Sequence, residues 1–448
     1  MVVCLRHTSR YTVGQLAYRN FHVVMADIFA AIWLHVFAFC LCVEFAQCGV
    51  FDYLPSFDAN VDDRDTSITK YFQCGFLYKE ILAFLAIYNG TILSLRQLKR
   101  ILSRLHLRRR RHHSSAEEVL NTISTELSGS GSSLGYRLMH QRLRVDHGIV
   151  VDKESVRHIL KALDPEGVEL RSRRSLRRRN YYSKGPDYLW HLDGYDKLKP
   201  FGFCIHGAID GYSRRILWLE VGVSNNDPYY VANYFVECIK HLGGVPRCIR
   251  ADRGTENTNI ASIQVLLRRD DTDTLAAEKS FVYGRSVSNQ RIEAWWSFLK
   301  RNATHWWINL FKDMRDSGVY DEGDFIHTEC LQFCFMSLIR EELYKVAKHW
   351  NVHRIRPTKN TETHSGRPDV LYFLPEANDT QSYMHPVPQE DIEVVGNEFS
   401  TVPPERGGSE EFQQLANLIM DEHDLQMPTT VEEAKLLHMI LTSYIRNL

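Results

Sequence analysis

The sequence of 448 residues lacks an apolar run long enough to span a membrane. Its longest run, IFAAIWLHVFAFCLCV at residues 28–43, has 16 residues and contains His35, whereas a spanning helix needs about 20. It also starts too late for a signal peptide and has no small-residue cleavage site. Three interpretations stay open: a buried helix, a membrane-associated segment, or translated sequence outside the functional fold. We assign residues 1–60 no function and expect no membrane partner.

The ten cysteines lack the spacing of a zinc site or of a disulfide framework. Cys330 and Cys334 are one helical turn apart, and Cys40 and Cys42 are closer still, but neither pair forms the C-x2-C plus His pattern of structural zinc. Scattered cysteines favour a reducing, intracellular compartment. Together with the basic segments described below, this predicts a nuclear protein.

The sequence also lacks an overall charge excess, since 54 Lys and Arg nearly balance 55 Asp and Glu. The balance hides a strong polarity. Residues 94–184 carry 21 basic and 9 acidic side chains, a net charge of +12, whereas residues 376–448 carry 3 basic and 14 acidic ones, a net charge of −11. A basic segment of this kind is typical of binding to a polyanion. We expect the first segment to face double-stranded DNA and the acidic tail not to.

Two helical units are predicted in the basic half. Apolar residues from Phe76 to Leu105 recur at three- and four-residue steps, Asn89-Gly90 interrupts them, and Ser94 stands at an N-cap position. This pattern predicts a helix-turn-helix over residues 66–113, with an ordinary helical hairpin as the alternative; a second unit follows over 116–165. The candidate DNA-contact residues here are Arg96, Lys99, Arg100, Arg104, Arg108, Arg109, Arg110 and Arg111.

An arginine-rich linker is predicted over residues 166–184. It holds six arginines and no acid between positions 171 and 179. Such a run is typical of a solvated linker, and it is also compatible with phosphate contacts. The linker adds Arg173, Arg174, Arg177, Arg178 and Arg179 to the candidate DNA-contact residues.

From Tyr188 onward the pattern changes to that of a mixed α/β domain. Three short apolar and aromatic runs predict three consecutive strands, and helices and strands alternate after them. Three acids stand at the ends of these elements: Asp193 near the end of the first strand, Asp252 at the end of the fourth, and Glu293 in the first turns of a helix. Such positions can converge at one edge of a sheet. Oxygen ligands grouped in this way favour Mg²⁺ or Mn²⁺.

The motifs around the acids resemble one known family. WHLDGYD, HGAIDGYSRRILWLEV, GGVPRCIRADRGTEN and SNQRIEAWWSFLK occur in the order found in the DDE-type integrase core of retroviruses, gypsy-type retroelements and related transposases. The resemblance implies an RNase H-like fold over residues 185–345, followed by an acidic, partly helical tail at 346–448. It also implies that Asp193, Asp252 and Glu293 bind metal and catalyse, and that Lys300 reaches DNA from the Glu293 helix.

Two features depart from the family pattern. The 40 residues between Asp252 and Glu293 exceed the usual spacing, and the polar insert RRDDTDTLAAEK is a natural place for the excess. The His-His-Cys-Cys zinc domain that precedes many retroviral cores is missing, and the predicted helical units stand in its place. The insert leaves the triad plausible, and the missing zinc domain favours a transposase-like architecture over a retroviral one.

The resulting hypothesis is a DNA integrase or transposase that cleaves and joins phosphodiester bonds with two metal ions, as a homo-oligomer on DNA and without a small-molecule substrate. Two alternatives stay open. The first is a domesticated, catalytically silent protein that binds DNA or chromatin. The second is an RNase H-like nuclease, which shares the metal chemistry. The sequence gives neither the DNA target nor the roles of residues 1–60 and of the acidic tail.

Overall fold

The computed structural model describes residues 63–109, 113–172, 181–284, 289–357 and 364–447. The apolar segment 28–43 lies outside these ranges, as do the candidate DNA-contact residues Arg110, Arg111, Arg173, Arg174, Arg177, Arg178 and Arg179. Within the described ranges, no helix is both long enough and apolar enough to cross a membrane.

The first helical unit consists of three helices, α1 (Arg64–Gln73), α2 (Tyr78–Tyr88) and α3 (Leu95–Arg104). Ser94 caps α3 as predicted: its hydroxyl accepts the backbone N–H of Gln97, and the Gln97 side chain accepts the N–H of Ser94. The apolar positions at helical spacing meet in one buried core. Helices α2 and α3 are thus neighbours in one three-helix unit, joined by the segment 89–94.

The second helical unit repeats this construction. Its helices are α4 (Ala116–Ser128), α5 (Tyr136–Val145) and α6 (Lys153–Leu163), and the short α7 (Pro165–Ser172) follows. Asp152 caps α6 by accepting the backbone N–H groups of Glu154 and Ser155 at 2.9 Å. Buried residues from all three helices form a core separate from that of the first unit.

A five-stranded mixed sheet lies at the centre of the chain, in the order β3-β2-β1-β5-β6. Strands β1, β2 and β3 are antiparallel, whereas β5 and β6 run parallel to β1. Every residue of β2 and β3 is buried, as expected for strands covered on both faces. The strands are β1 (Trp190–Tyr195), β2 (Cys204–Asp210), β3 (Ile216–Gly222), β4 (Gly244–Val245), β5 (Ile249–Ala251) and β6 (Phe281–Tyr283).

Helices flank this sheet, which gives the predicted α/β architecture. They are α8 (Pro228–Leu242), α9 (Thr258–Leu267), α10 (Gln290–Leu299), α11 (His305–Asp316) and α12 (Phe325–Val352). A π-helical segment, Lys300–Thr304, joins α10 to α11. The domain boundary that we placed at residue 345 falls inside α12, which runs without a break to Val352.

The acidic C-terminal region packs on the core. It contains α13 (Pro368–Phe373), β7 (His385–Pro386), α14 (Gln389–Phe399), α15 (Glu410–Glu422) and α16 (Val431–Arg446). Strand β7 pairs with β4, α14 packs on α8, and α16 packs on α12. Thr430 and Glu433 have the sequence spacing that predicts a capping box, and the box is present at the start of α16. Arg215, in the turn just before β3, forms a fully buried ion pair of 2.9 Å with Asp369 of α13. This ion pair connects the C-terminal region to the sheet.

A buried acid in contact with α12 makes the stability of the fold depend on pH. Glu220 of β3 is almost fully buried, and the Tyr344 hydroxyl lies 2.9 Å from both of its carboxylate oxygens. Burial raises the pKa of Glu220 to about 7, against the opposing effects of Arg340 and of the Tyr344 hydrogen bond. Because the unfolded chain has an ordinary Glu pKa of about 4.3, Glu220 lowers the stability of the fold as pH rises between those two values.

We predict that Glu220→Gln stabilises the protein at pH 8 and has little effect at pH 4.5. The amide keeps a partner for Tyr344 and removes the cost of ionisation, which amounts to at most about 4 kcal/mol. Thermal unfolding at the two pH values measures the difference. Glu341→Gln, at an exposed position of α12, should show no such pH dependence. An equal shift at both pH values for the Glu220 variant would contradict the argument.

Candidate active site

The sheet register brings Asp193 and Asp252 side by side. Strands β1 and β5 are parallel neighbours, with Trp190 opposite Ile249 and His191 opposite Arg250. Asp193 and Asp252 stand two positions beyond the second pair and continue the same register. Neighbouring strands are about 4.8 Å apart, and residues in register point to the same face. Both carboxylates therefore lie at the carboxyl edge of the sheet, where α/β folds commonly bind ligands.

Helix α10 carries Glu293 to the same edge because it is tied to β1 at two points. The indole N–H of Trp296 donates to Asp193 Oδ2 at 2.8 Å. At the start of the helix, buried Asn289 donates to the backbone carbonyl of Leu192 at 2.6 Å. Glu293 lies between these anchors, one turn before Trp296, on the helix face that meets β1.

The charges of the three acids interact. Burial, with a smaller contribution from the negative charges of Glu293 and Asp252, raises the pKa of Asp193 to about 7, against the hydrogen bond from Trp296. The fold thus holds Asp193 in a position where its ionised form is disfavoured. Carboxylates in this arrangement gain stability from a cation.

A buried hydrogen-bonded chain supports the helix start. The Asn289 side-chain N–H donates to the backbone carbonyl of Leu192, and its Oδ1 lies 2.7 Å from His191 Nδ1. His191 must therefore donate from Nδ1, and its Nε2 accepts the Tyr181 hydroxyl at 2.7 Å. Complete burial lowers the pKa of His191 to about 3, so the ring is neutral. His191 is therefore a packed strand residue whose neutral ring supports the start of α10.

The loop after β5 positions Asp252. The Asn257 amide lies 2.9 Å from Glu256 Oε1 and 3.4 Å from Asp252 Oδ1. A Cβ at position 254 would overlap the Glu256 carboxylate, so Gly254 is required for Glu256 to fold back over the loop. Burial, together with the charge of Asp252, raises the pKa of Glu256. Glu256 thus contributes to the conformation of the loop that follows Asp252.

The candidate DNA-contact residues do not gather at the acids. Lys300 is exposed at the end of α10, two turns beyond Glu293. Arg96, Lys99 and Arg100 are exposed on α3, and Arg104 there forms an ion pair with Asp65 of α1. Arg108 is exposed, whereas the guanidinium of Arg109 stacks over the rings of Phe72 and Tyr78 at 4.9 and 4.8 Å.

The donor set at the edge fits a hard divalent cation, because it offers carboxylate oxygens and no sulfur or imidazole. Asp193, Asp252 and Glu293 could hold such an ion. Among the described residues, no three His, Cys, Asp or Glu side chains are yet grouped at distances that would coordinate a metal. The three acids are close enough for their charges to interact. Coordination of a metal ion by all three would require them to move closer together.

Several supporting residues were missed by the sequence reasoning. Trp296 belongs to the apolar stripe of its helix, and its hydrogen bond to Asp193 carries no sequence signal. Asn289 offered a weak signal, since an Asn before an amphipathic helix is a common N-cap; here its side chain makes tertiary bonds and no cap bond. Tyr181 stood in the predicted linker, and nothing in its neighbourhood indicated a partner on β1.

Comparison with known families matches residues 180–372 to the integrase core domain. The match includes the five-stranded sheet, all three acids and α13, and so it extends past residue 345. Comparison with curated proteins gives no match. Residues 180–372 are thus a DDE-type integrase core domain with an RNase H-like fold, which places this part of the chain in the polynucleotidyl transferase-like superfamily. Domains of this family generally bind DNA and use divalent metals.

We predict that Asp193→Asn stabilises the metal-free protein and weakens its response to metal. The amide still accepts the Trp296 N–H and removes one of three repelling charges, so the thermal midpoint in EDTA should rise by about 2 °C or more. Adding Mg²⁺ should raise the midpoint of the wild type more than that of the variant. A metal response equal to that of the wild type would show that Asp193 is not a ligand.

Two neighbouring tryptophans provide a matched test of how Asp193 is held. Trp296→Phe keeps the ring but removes the N–H that stabilises ionised Asp193, so we expect a roughly three- to tenfold higher Mg²⁺ concentration at half-saturation. The control is Trp295→Phe, because the indole N–H of Trp295 has no partner among the described residues. Titrating the thermal midpoint with Mg²⁺ measures both. Equal behaviour of the two variants would assign Trp296 to packing alone.

Proposed function

We propose that this protein is a Mg²⁺- or Mn²⁺-dependent DNA integrase or transposase that cuts and joins phosphodiester bonds. The observation that carries the proposal is the convergence of Asp193, Asp252 and Glu293 at one sheet edge, where the pKa of Asp193 responds to the charges of the other two. The integrase core domain provides independent support.

The chain's own residues have separate tasks in this proposal. Asp193, Asp252 and Glu293 would hold the metal ions, which activate the attacking oxygen and stabilise the leaving oxygen of an in-line displacement. Trp296 holds Asp193 in place through the hydrogen bond of its indole N–H to Oδ2. Asn289 fixes the start of α10 and hence the position of Glu293 relative to β1. Lys300 would contact a DNA phosphate beside the acids.

DNA binding would come from the helical units. Helix α3 exposes Arg96, Lys99 and Arg100, and α6 exposes Lys153, Arg157 and Lys161. Each of these helices is the third of its unit, the position from which a helix-turn-helix reads the major groove. The exposed arginines and lysines can bind backbone phosphates with little sequence preference. We propose that the protein acts on nuclear DNA as a homo-oligomer.

The test is metal-dependent nicking of supercoiled plasmid and joining of labelled duplex ends. Asp193→Asn, Asp252→Asn and Glu293→Gln should each lower the rate by at least about a hundredfold and leave DNA affinity unchanged. The matched control is Asp196→Asn, three residues from Asp193, because its side chain is largely exposed and pairs with Lys199 and Asn225. Asp196→Asn should keep its activity.

Three outcomes would replace this proposal. Activity that survives Asp193→Asn would remove the acids from the mechanism. A wild-type protein that binds DNA and cuts nothing in Mg²⁺ or Mn²⁺ would be the catalytically silent DNA-binding protein. Cleavage of an RNA–DNA hybrid in preference to duplex DNA would identify an RNase H-like nuclease, so the substrate panel includes both.

A further inference from the structure

Three arginines from three parts of the chain converge on one turn of the first helical unit. Arg109 follows that unit, Arg144 belongs to α5 of the second unit, and Arg367 precedes α13 of the integrase core. All three contact the turn between α1 and α2. Arg109 donates to the Phe76 carbonyl, and Arg367 donates to the Gly75 carbonyl at 2.7 Å.

Arg144 makes the closest approach. A Cβ at position 75 would overlap its guanidinium, so a glycine is needed here to leave room for the arginine. Gly75 also has a positive φ of 80°, a backbone conformation that favours glycine. Arg144 Nε is buried and has no hydrogen-bond partner among the described residues. A buried guanidinium N–H without an acceptor is costly, so a ligand that supplied an acceptor would stabilise this arrangement.

Acids do not balance the cluster. Among the described residues, the carboxylate paired with these arginines is Glu80, 3.5 Å from Arg367 Nε, and it also accepts the backbone N–H of Leu77 at 2.6 Å. Burial lowers the pKa of Arg144, and the charges of Arg367 and Arg109 lower it further. Burial likewise lowers the pKa of Arg367, with Arg354 and Arg109 adding to the effect against Glu80. The site is an excess of positive charge that would be stabilised by an anion.

We propose that Arg109, Arg144 and Arg367 bind one backbone phosphate of duplex DNA at the junction of the two helical units and the integrase core. The proposal rests on the proposed function for DNA binding and adds a contact that it does not contain. A planar guanidinium matches a phosphate in a bidentate geometry. Helices α3 and α6 expose further basic residues that a continuous DNA backbone could also contact. Binding there would fix both helical units relative to the acids.

The decisive variant is Arg144→Gln in the full chain. Because it removes a half-buried cation whose Nε lacks a hydrogen-bond partner among the described residues, the thermal midpoint should stay the same or rise. Affinity for a labelled duplex, followed by fluorescence anisotropy, should fall about tenfold at moderate salt, and the slope of log K against log salt should drop by about 1. Arg144→Lys should keep the salt slope and recover part of the affinity. Arg269→Gln, at an exposed arginine paired with Asp270, is the control and should match the wild type.

The outcomes separate this inference from the proposed function. If the wild type binds no duplex, DNA binding fails and this contact fails with it. If the wild type binds and Arg144→Gln keeps the same affinity and salt slope, the phosphate contact alone is overturned. Inorganic phosphate provides the last arm: if it raises the thermal midpoint of the wild type but not of Arg144→Gln, while both bind DNA equally, the cluster is a site for a free anion and the proposal is wrong.

Discussion

Repulsion between carboxylates is the constraint that shapes this molecule. Asp193, Asp252 and Glu293 are distant in sequence, and bringing them together costs free energy unless a cation is present. Strand pairing and hydrogen bonds from uncharged donors offset this cost. The parallel pairing of β1 with β5 sets the first two acids in register, and the buried bonds of Asn289 and Trp296 hold the helix that bears the third.

The two basic helical units are packed against the integrase core. Arg142 of α5 is buried between Glu126 of its own unit and Glu342 of α12, at 3.0 and 3.2 Å, and so fastens the second helical unit to the integrase core. Val352 and Leu374 of the core enter the apolar cluster of the first unit. Removing one partner from a buried ion pair is far more costly than its net contribution. These joints therefore keep the helical units and the sheet edge in one arrangement.

The acidic C-terminal region has a structural part in that arrangement. We expected a tail that would stay away from nucleic acid, and its helices do carry exposed acids, yet their apolar faces cover the core. Helix α16 packs on α12, and α14 packs on α8 and α9. Asp369 forms an ion pair with Arg215, which is fully buried at the start of β3. Composition alone could not separate such a packed segment from a free tail, because charge on the outer face hides the apolar stripe beneath it.

The sequence by itself determined the local elements and singled out the three acids as the candidate site. Period-two and period-3.6 patterns predicted β1, β2, β3 and α8, and Ser94 and Thr430 predicted two helix starts, because these signals depend only on neighbouring residues. Tertiary structure alone decided which side chains support the acids and where the arginines converge. Trp296 with Asp193, Tyr181 with His191, and Arg144 with Gly75 are pairs between distant positions, and their partners are chosen by packing, which no local spacing encodes.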